Sequence, residues 1–152
     1  MIVTCRGIVK KTALSAYSRP KQGGIIAINL RENDELVSAM LVNDDDELLL
    51  VSRQGMSLRF QATEASLRSM GRSTSGVIGM KFRDGDELLS ASVANDDGYV
   101  FVVTEGGYAK RTQSTLYRAQ HRGGKGIKGA QLRGDDVVEQ FFVIGHSSHK
   151  IG

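Results

Sequence analysis

Short runs of apolar residues alternate with polar turns along the whole chain. The runs IIAINL (25–30), ELVSAMLV (35–42), ELLLVS (47–52) and MSLRF (56–60) are rich in Ile, Val, Leu and Phe, and clusters of Gly, Asn and Asp bound them. Runs of this length and composition predict β-strands. SRQG (52–55) and TEGG (104–107) predict tight hairpins, with glycine supplying the positive φ. Apart from the short segment 63–70, no stretch has a helical pattern, so the chain is predicted to be all-β.

The pattern repeats three times, with a spacing of 48 to 52 residues. Four short strands in each unit of about fifty residues are typical of a propeller blade. We therefore predict one domain over residues 1–152, with units at approximately 5–52, 53–104 and 105–152. The equivalent positions are Gly7, Gly55 and Gly107; Lys11, Arg59 and Arg111; Gly24, Gly76 and Gly126; Arg31, Arg83 and Arg133; and Asp34, Asp86 and Asp136.

Three units are too few to close a propeller, which usually has between four and eight blades. Two chains placed head to tail would give six blades, so we expect a homodimer. In that arrangement, residues 1–4 of a neighbouring chain or end would complete the last unit. A fragment of a longer chain would have the same open edges, and this alternative stays open.

Composition indicates a folded, soluble domain. Of the 152 residues, 40% are hydrophobic and 24% are charged, which is ordinary for a globular protein. No apolar run approaches 18 residues and the N-terminus lacks a signal-peptide pattern, so we expect a cytoplasmic protein and no membrane association. Cys5 is the only cysteine and therefore cannot form an internal disulfide.

Charge follows the repeat. Residues 5–21 contain five cations and no acid, and residues 105–128 contain six cations and one acid, whereas acids dominate 31–47 and 81–97. A basic band with the period of the blades favours a long polyanion. Few aromatic residues accompany these cations, so duplex DNA is favoured over unpaired bases. The candidate DNA-binding cations outside the glycine-rich loop are Lys10, Lys11, Arg19, Lys21, Arg59, Arg72, Lys110, Arg111, Arg118 and Lys128.

The most basic of the recurring loops is QHRGGKG. It consists of Gln120, His121, Arg122, Gly123, Gly124, Lys125 and Gly126. Three cations or potential cations and three glycines leave nothing that could enter a core. We expect Arg122 and Lys125 to bind phosphates, while the glycines allow phosphates to approach backbone amides.

Several segments closely resemble the C-terminal domain of the DNA gyrase A protein. They are GGIIAINLRENDELVSAML, MGRSTSGVIGMKFRDGDELLSASV and TEGGYAKRT, and QHRGGKG resembles the gyrase A box of that family, Q-R-R-G-G-[RK]-G. The resemblance implies a β-pinwheel whose blades exchange a strand with a neighbour. It also implies duplex DNA wrapped around a basic perimeter, in support of negative supercoiling in the bacterial nucleoid. The remainder of the gyrase A protein would then be a partner.

The resemblance has three departures. His121 stands where the family usually has arginine, which would weaken one phosphate contact. The family domain has about six blades with the box in the first, whereas this chain has three units with the box in the last. This order fits a fragment, a member with a second box, or a recombined half-disc. Topoisomerase IV carries a degenerate or absent box, so the box favours gyrase.

Three further motifs suggest a dinucleotide site, a metal site and a calcium loop, but each lacks a required feature. Gly124, Gly126 and Gly129 match G-x-G-x-x-G, but no helical pattern follows, as a dinucleotide site requires. His146 and His149 lack a third metal ligand, and the acid run 44–47 lacks the spacing of a calcium loop. We predict no catalysis, cofactor or metal for this chain alone. The alternative function is a protein-interaction propeller that binds an acidic partner.

Overall fold

The structure is a computed structural model, and it describes residues 1–145. Within that range the chain forms strands and two short 3-10 turns, Leu14–Tyr17 and Ser114–Leu116. The strands are β1 (Ile2–Thr4), β2 (Ile8–Lys10), β3 (Leu36–Ala39), β4 (Glu47–Ser52), β5 (Met56–Gln61), β6 (Val77–Ile78), β7 (Leu88–Val93), β8 (Tyr99–Thr104), β9 (Ala109–Gln113), β10 (Ile127–Lys128) and β11 (Val138–Ile144). The predicted all-β class is confirmed.

The strands form three antiparallel sheets in which units exchange strands. The sheet orders are β3-β1-β2-β6, β10-β5-β4-β7 and β11-β8-β9. Strand β6 belongs to the second unit but pairs with β2 of the first, with Val77 opposite Val9. Likewise β10 of the third unit pairs with β5 of the second, with Ile127 opposite Ser57. Each exchanged strand therefore joins consecutive units through backbone hydrogen bonds.

Both hairpins predicted from SRQG and TEGG are confirmed. Gly55 has φ +82° and its N–H donates to the Ser52 carbonyl at 3.0 Å. Gly107 has φ +84° and donates to the Thr104 carbonyl at 3.0 Å. A side chain at these positive φ values would be strained, so glycine fixes the turn and thereby the register of β4 with β5 and of β8 with β9.

The middle sheet is buried on both faces. Leu48 and Leu50 of β4 belong to one apolar cluster, together with residues of the first sheet. Leu49 and Val51 point to the opposite face and pack with residues of the third sheet. Because side chains alternate along a strand, the continuous apolar run of β4 fills two cores at once. Full burial of each such side chain contributes about 1.5–3 kcal/mol.

Two parts of the sequence-based assignment differ from the structure. The strand predicted over 25–30 has no sheet partner within residues 1–145, although the equivalent residues 77–78 and 127–128 are paired. Residues 2–4 form β1, which pairs with β2 on one side and β3 on the other. With both edges occupied, β1 has no free edge with which to complete the last sheet of a neighbour.

The recurring aspartates fasten each hairpin to a later loop. Asp34 is buried and accepts hydrogen bonds from Thr4 Oγ1 at 2.6 Å, Cys5 Sγ at 3.2 Å, and the backbone N–H of Arg6 at 3.1 Å. The N–H of Glu35 donates to the same carboxylate at 2.9 Å. Burial alone would raise the pKa of Asp34, but these hydrogen bonds outweigh it, and its pKa lies below the ordinary value.

We expect Asp34→Asn to lower the free energy of unfolding by about 2 kcal/mol near neutral pH, because charge-assisted hydrogen bonds are lost. The pKa of Asp34 is lower in the folded protein than in the unfolded chain. Its carboxylate therefore stabilises the fold at pH values above the unfolded pKa, and this stabilisation is lost as pH falls through the folded pKa. The difference between the two proteins should therefore shrink below roughly pH 4. Urea unfolding as a function of pH measures this difference in stability.

Asp45→Asn, at an exposed turn, is the matched control and should change stability by less than about 0.5 kcal/mol. A pH-independent difference would contradict the assignment.

Candidate nucleic-acid interface

The loop QHRGGKG is attached to the preceding unit by its backbone. The N–H of Gln120 donates to the Arg59 carbonyl at 2.7 Å, and the N–H of Gly123 donates to the Gly79 carbonyl at 2.7 Å. In return, the N–H of Lys81 donates to the Gly124 carbonyl at 2.9 Å. Two of the loop amides are thus used inside the protein, and the loop has a defined position beside Lys81.

Arg122 anchors the loop rather than projecting freely from it. Its Nε donates to the Ser66 carbonyl at 2.9 Å, and its Nη1 donates to the Ile78 carbonyl. The equivalent Arg72 of the second unit donates to the Ile26 carbonyl at 3.2 Å. Both arginines are half-buried. The predicted phosphate ligand Arg122 therefore already has two protein acceptors, and its first effect is to hold the loop against the preceding unit.

The glycines of the loop have different roles. A Cβ at Gly126, where φ is +73°, would lie 2.3 Å from the Ser57 carbonyl oxygen, so this glycine is required by the pairing of β10 with β5. A Cβ at Gly124 would meet nothing closer than 3.8 Å, and this position has no packing requirement. Of the hypothesised phosphate-approach glycines, Gly124 fits that role best. His121 and Lys125 on either side of it are exposed.

Lys125 shares a groove with cations from the other two units. The groove encloses about 420 Å³, and its apolar floor includes Ile78 and Phe82. Four exposed cations line it, namely Arg6, Arg31, Lys81 and Lys125. The first, second and third units each contribute to this set. Four positive charges around one open groove make it attractive to an anion such as a phosphate chain.

Sequence reasoning did not include three of these groove residues. Arg31 and Lys81 lie at the start of segments dominated by acids, and Arg6 lies in a hairpin turn. The acids around them concealed Arg31 and Lys81, whereas Arg6 lies in the basic segment 5–21 and was left out of the candidate set. The repeat contained one usable signal, because Arg31 recurs as Arg83 and Arg133. Arg83 lines the equivalent groove of the next unit together with Lys128.

Three of the predicted DNA-binding cations are buried, and the structure corrects their place on an exposed rim. Lys10 is fully buried, and its Nζ donates to the Ala27 carbonyl at 2.7 Å and to the Arg72 carbonyl. Burial, with a smaller contribution from the charge of Arg72, lowers the pKa of Lys10. Its ammonium group thus holds the loops of two units together and does not face solvent.

Lys11 is the second buried cation. Its Nζ lies 2.9 Å from Asp44 Oδ1, 2.8 Å from Glu64 Oε1 and 2.6 Å from the Ala62 carbonyl oxygen. Burial would lower the pKa of Lys11, but the two carboxylates outweigh burial and raise it. The hydrogen bond from Lys11, followed by those from Ser69, lowers the pKa of Glu64 to about 2. Lys11 therefore joins the first unit to the second.

Arg59 is the third and occupies the equivalent position one unit later. Its guanidinium donates to the carbonyls of Ser114 at 3.1 Å and Tyr117 at 3.3 Å, and it pairs with Asp96 at 2.5 Å and with Glu47. Burial would lower the pKa of Arg59, but the hydrogen bonds to the two carboxylates outweigh burial and raise it. This side chain joins the second unit to the third.

Apart from the half-buried Arg72, the remaining predicted cations are on the surface. Arg111 is exposed, and its guanidinium stacks on the Tyr99 ring with its Cζ 4.6 Å from the centroid. The Gln120 side chain is half-buried at the start of the loop. The exposed members of the predicted set outside the loop are Arg19, Lys21, Lys110, Arg111, Arg118 and Lys128.

Metal binding has no support among the described residues. Between residues 1 and 145, no three His, Cys, Asp or Glu side chains come together as metal ligands would. The same part of the chain contains no helix long and apolar enough to span a membrane. The hypothesis of a metal site at His146 and His149 falls outside the described residues.

Comparison with known proteins gives a family for this arrangement. The family model described as DNA gyrase C-terminal domain, beta-propeller, matches residues 1–43, 46–95 and 98–144. The DNA gyrase A protein of Streptomyces coelicolor is 53% identical over 137 residues, which cover 87% of this chain and 16% of that protein. The DNA gyrase A protein of Mycolicibacterium smegmatis is 55% identical over 127 residues, covering 84% and 15%. The chain thus spans about a sixth of the length of these relatives.

The fold is similar to that of solved C-terminal domains. The C-terminal domain of DNA topoisomerase IV superposes with a TM-score of 0.86 at 28% identity. The match covers 94% of this chain and 45% of the other. The three sheets therefore correspond to a little less than half of that domain.

We expect Arg59→Met to lower the free energy of unfolding by about 3 kcal/mol, because two buried carbonyls lose their donor. Urea denaturation measures the loss. Arg118→Met removes the same charge from an exposed position and should change stability by less than about 0.5 kcal/mol. Duplex affinity of the folded Arg59→Met protein should match that of the unsubstituted chain. Weakened DNA binding without a loss of stability would contradict this assignment, because it would mean that the Arg59 side chain contacts DNA from the surface.

Proposed function

Because the chain belongs to the DNA gyrase C-terminal domain family, we propose that it binds duplex DNA through the phosphate backbone and bends it, without sequence specificity. The observation that carries this proposal is the groove lined by the exposed cations Arg6, Arg31, Lys81 and Lys125. Phosphate contacts position a duplex without reading its sequence, and cations of this kind supply them.

The cations that would contact DNA lie in two equivalent grooves. The Lys81 N–H donates to the carbonyl of Gly124, which precedes Lys125, so the main chain places both lysines at the same groove. Lys128 and Arg83 line the equivalent groove of the next unit beside Asp135 and Asp136, and these two cations would extend the track. Smooth bending of a duplex through 40–90° costs roughly 1–6 kcal/mol, so several grooves acting together are needed.

Membership of the family supports a cellular role for this proposal. On this proposal the chain acts as a non-catalytic part of the gyrase A protein, within a type IIA topoisomerase, or as half of a disc formed by two copies. Its place would be the bacterial cytoplasm, on the nucleoid. Wrapping around a basic rim would present a DNA segment to the rest of the enzyme and support negative supercoiling.

A second candidate is a groove that binds an acidic protein segment. The observation in its favour is the apolar floor under the cations, formed by residues such as Ile8 and Met80. A fluorescent polyglutamate peptide tests it beside a duplex of the same charge. Binding of the peptide without binding of the duplex at low salt would favour this alternative.

Duplex binding should weaken steeply with salt, by about 0.9 log units in affinity per tenfold change in salt for each phosphate contacted. We expect Lys81→Ala combined with Lys125→Ala to reduce the slope by about 1.8, because two contacts are removed. Fluorescence anisotropy with a labelled 40-base-pair duplex, from about 50 to 200 mM salt, measures both slope and affinity.

Arg53→Ala is the matched control. Arg53 is exposed and pairs with Glu87 at 2.8 Å, outside the groove. Its loss lowers net charge without removing a groove cation, so the slope should stay within experimental error. A reduction of about 0.9, half that of the double variant, would mean that net charge, and not the groove, determines binding. No detectable duplex binding at low salt would contradict the proposed function.

Wrapping is separated from binding by DNA topology. Relaxation of a closed circular plasmid by topoisomerase I in the presence of the chain should leave a change in linking number that grows with protein added. The Lys81→Ala, Lys125→Ala protein should produce a smaller change at equal occupancy. Binding with no change in linking number would restrict the function to attachment without wrapping.

A further inference from the structure

The groove between the first and second units, called here the first groove, is purely basic. Arg6 and Arg31 of the first unit and Lys81 of the second line it, and no acid among the described residues does so. All three cations are exposed. Even without Lys125, which the third unit adds, the first groove therefore has a charge of +3.

The equivalent groove between the second and third units, the second groove, has no net charge. Its cations are Arg83 and Lys128, and its acids are Asp135 and Asp136. Two positive and two negative charges cancel. A phosphate chain that follows the surface from one unit to the next would therefore meet an attractive groove and then a neutral one.

The loss of positive charge is written in the repeat. Gln54 stands in the second unit where the first has Arg6, and Gln131 stands in the third unit where the second has Lys81. Both glutamines are exposed. Only the third cation is retained, as Arg83. A glutamine can donate a hydrogen bond to a phosphate, but it has no charge and releases no counterion.

The gain of negative charge comes from a shifted turn. In the second unit the turn R-D-G-D has its positive φ at Gly85, +77°, whereas the turn R-G-D-D of the third unit has it at Gly134, +56°. The glycine is one place earlier, so the carboxylate of Asp135 stands where the second unit has Gly85. Asp135 lines the second groove, whereas none of residues 84–86 lines the first.

The two acids of the second groove have different roles. Asp136 fixes its turn, because its carboxylate accepts the N–H of Gly106 at 2.8 Å and the N–H of Val137 at 3.0 Å. Hydrogen bonds from the Thr104 side chain and then from the Gly106 N–H lower the pKa of Asp136. Asp135 is exposed and occupies a position where glycine serves in another unit. The fold therefore needs the carboxylate of Asp136, and it does not need that of Asp135.

On the basis of the duplex binding proposed above, we propose that Asp135 makes the second groove the weak end of the DNA track. A carboxylate beside the phosphates repels them and offsets the attraction of Arg83 and Lys128. A duplex then attaches at the first groove and reaches the second only afterwards. Binding along the three units therefore has a direction, and Asp135 is the residue that sets it.

Asp135→Asn tests the effect of the carboxylate. We expect the affinity for the labelled duplex at low salt to rise about threefold, because a like charge beside the phosphates is removed. The salt slope should steepen by about 0.9, because one more phosphate contact forms in the second groove. Asp45→Asn changes net charge equally at an exposed turn outside both grooves, and it should change affinity by less than about 1.5-fold.

Lys128→Ala separates the second groove from net charge. In the unsubstituted chain this change should flatten the salt slope by less than about 0.3, because Asp135 already offsets the cation. In the Asp135→Asn background the same change should flatten the slope by about 0.9. Arg53→Ala, which is outside both grooves, should have the same small effect in either background. Circular dichroism confirms that each variant is folded.

Three results would count against the proposal. A slope loss of about 0.9 for Lys128→Ala in the unsubstituted chain would overturn it, because the second groove would already be a full contact. An affinity of Asp135→Asn no higher than that of Asp45→Asn would overturn it as well. Absence of duplex binding by every variant at low salt would remove the proposed function itself and the direction with it, and this failure is distinct from the other two.

Discussion

The fold depends on backbone pairing between consecutive units. Strands of only two residues, β6 and β10, leave their own unit and complete the sheet of the one before. An isolated unit would have an unpaired sheet edge and half of each apolar cluster, because both clusters span two sheets. The glycines at the crossing points, such as Gly76 and Gly126, allow the close backbone approach that this pairing requires. Stability is therefore a property of neighbouring units taken together.

The same pairing decides what a cation does. Lys11, Arg59 and Arg111 are equivalent in sequence, yet the first two are buried by the unit that follows, while Arg111 is exposed on β9. A buried cation is tolerated only when acceptors and carboxylates surround it, and Lys11 and Arg59 each have both. These residues link units, and the surface charge available to a ligand comes from elsewhere.

Strand exchange also assembles the candidate site. Because β6 crosses to the first sheet, Lys81 just beyond it lies near Arg6 and Arg31 of the first unit and beside the Gly124 carbonyl of the third. Arg122 then fastens the loop to the Ile78 carbonyl, which ends the exchanged strand. The groove, which three units form, and the apolar core therefore depend on the same short strands. Loss of one strand pairing should disrupt both the groove and the core.

The sequence alone determined the all-β class, the three units, the hairpins at SRQG and TEGG, and the basic loop with Lys125. Those features depend on local patterns and on glycines whose φ is fixed by the turn itself. Only the tertiary structure decided that Lys10, Lys11 and Arg59 are internal and that Arg31 and Lys81 join Lys125. It also decided that residues 25–30 have no sheet partner within residues 1–145, while 77–78 and 127–128 have one. The physical reason is that burial and pairing here are set by contacts between units about fifty residues apart. Residues in equivalent positions therefore acquire different environments according to which unit covers them.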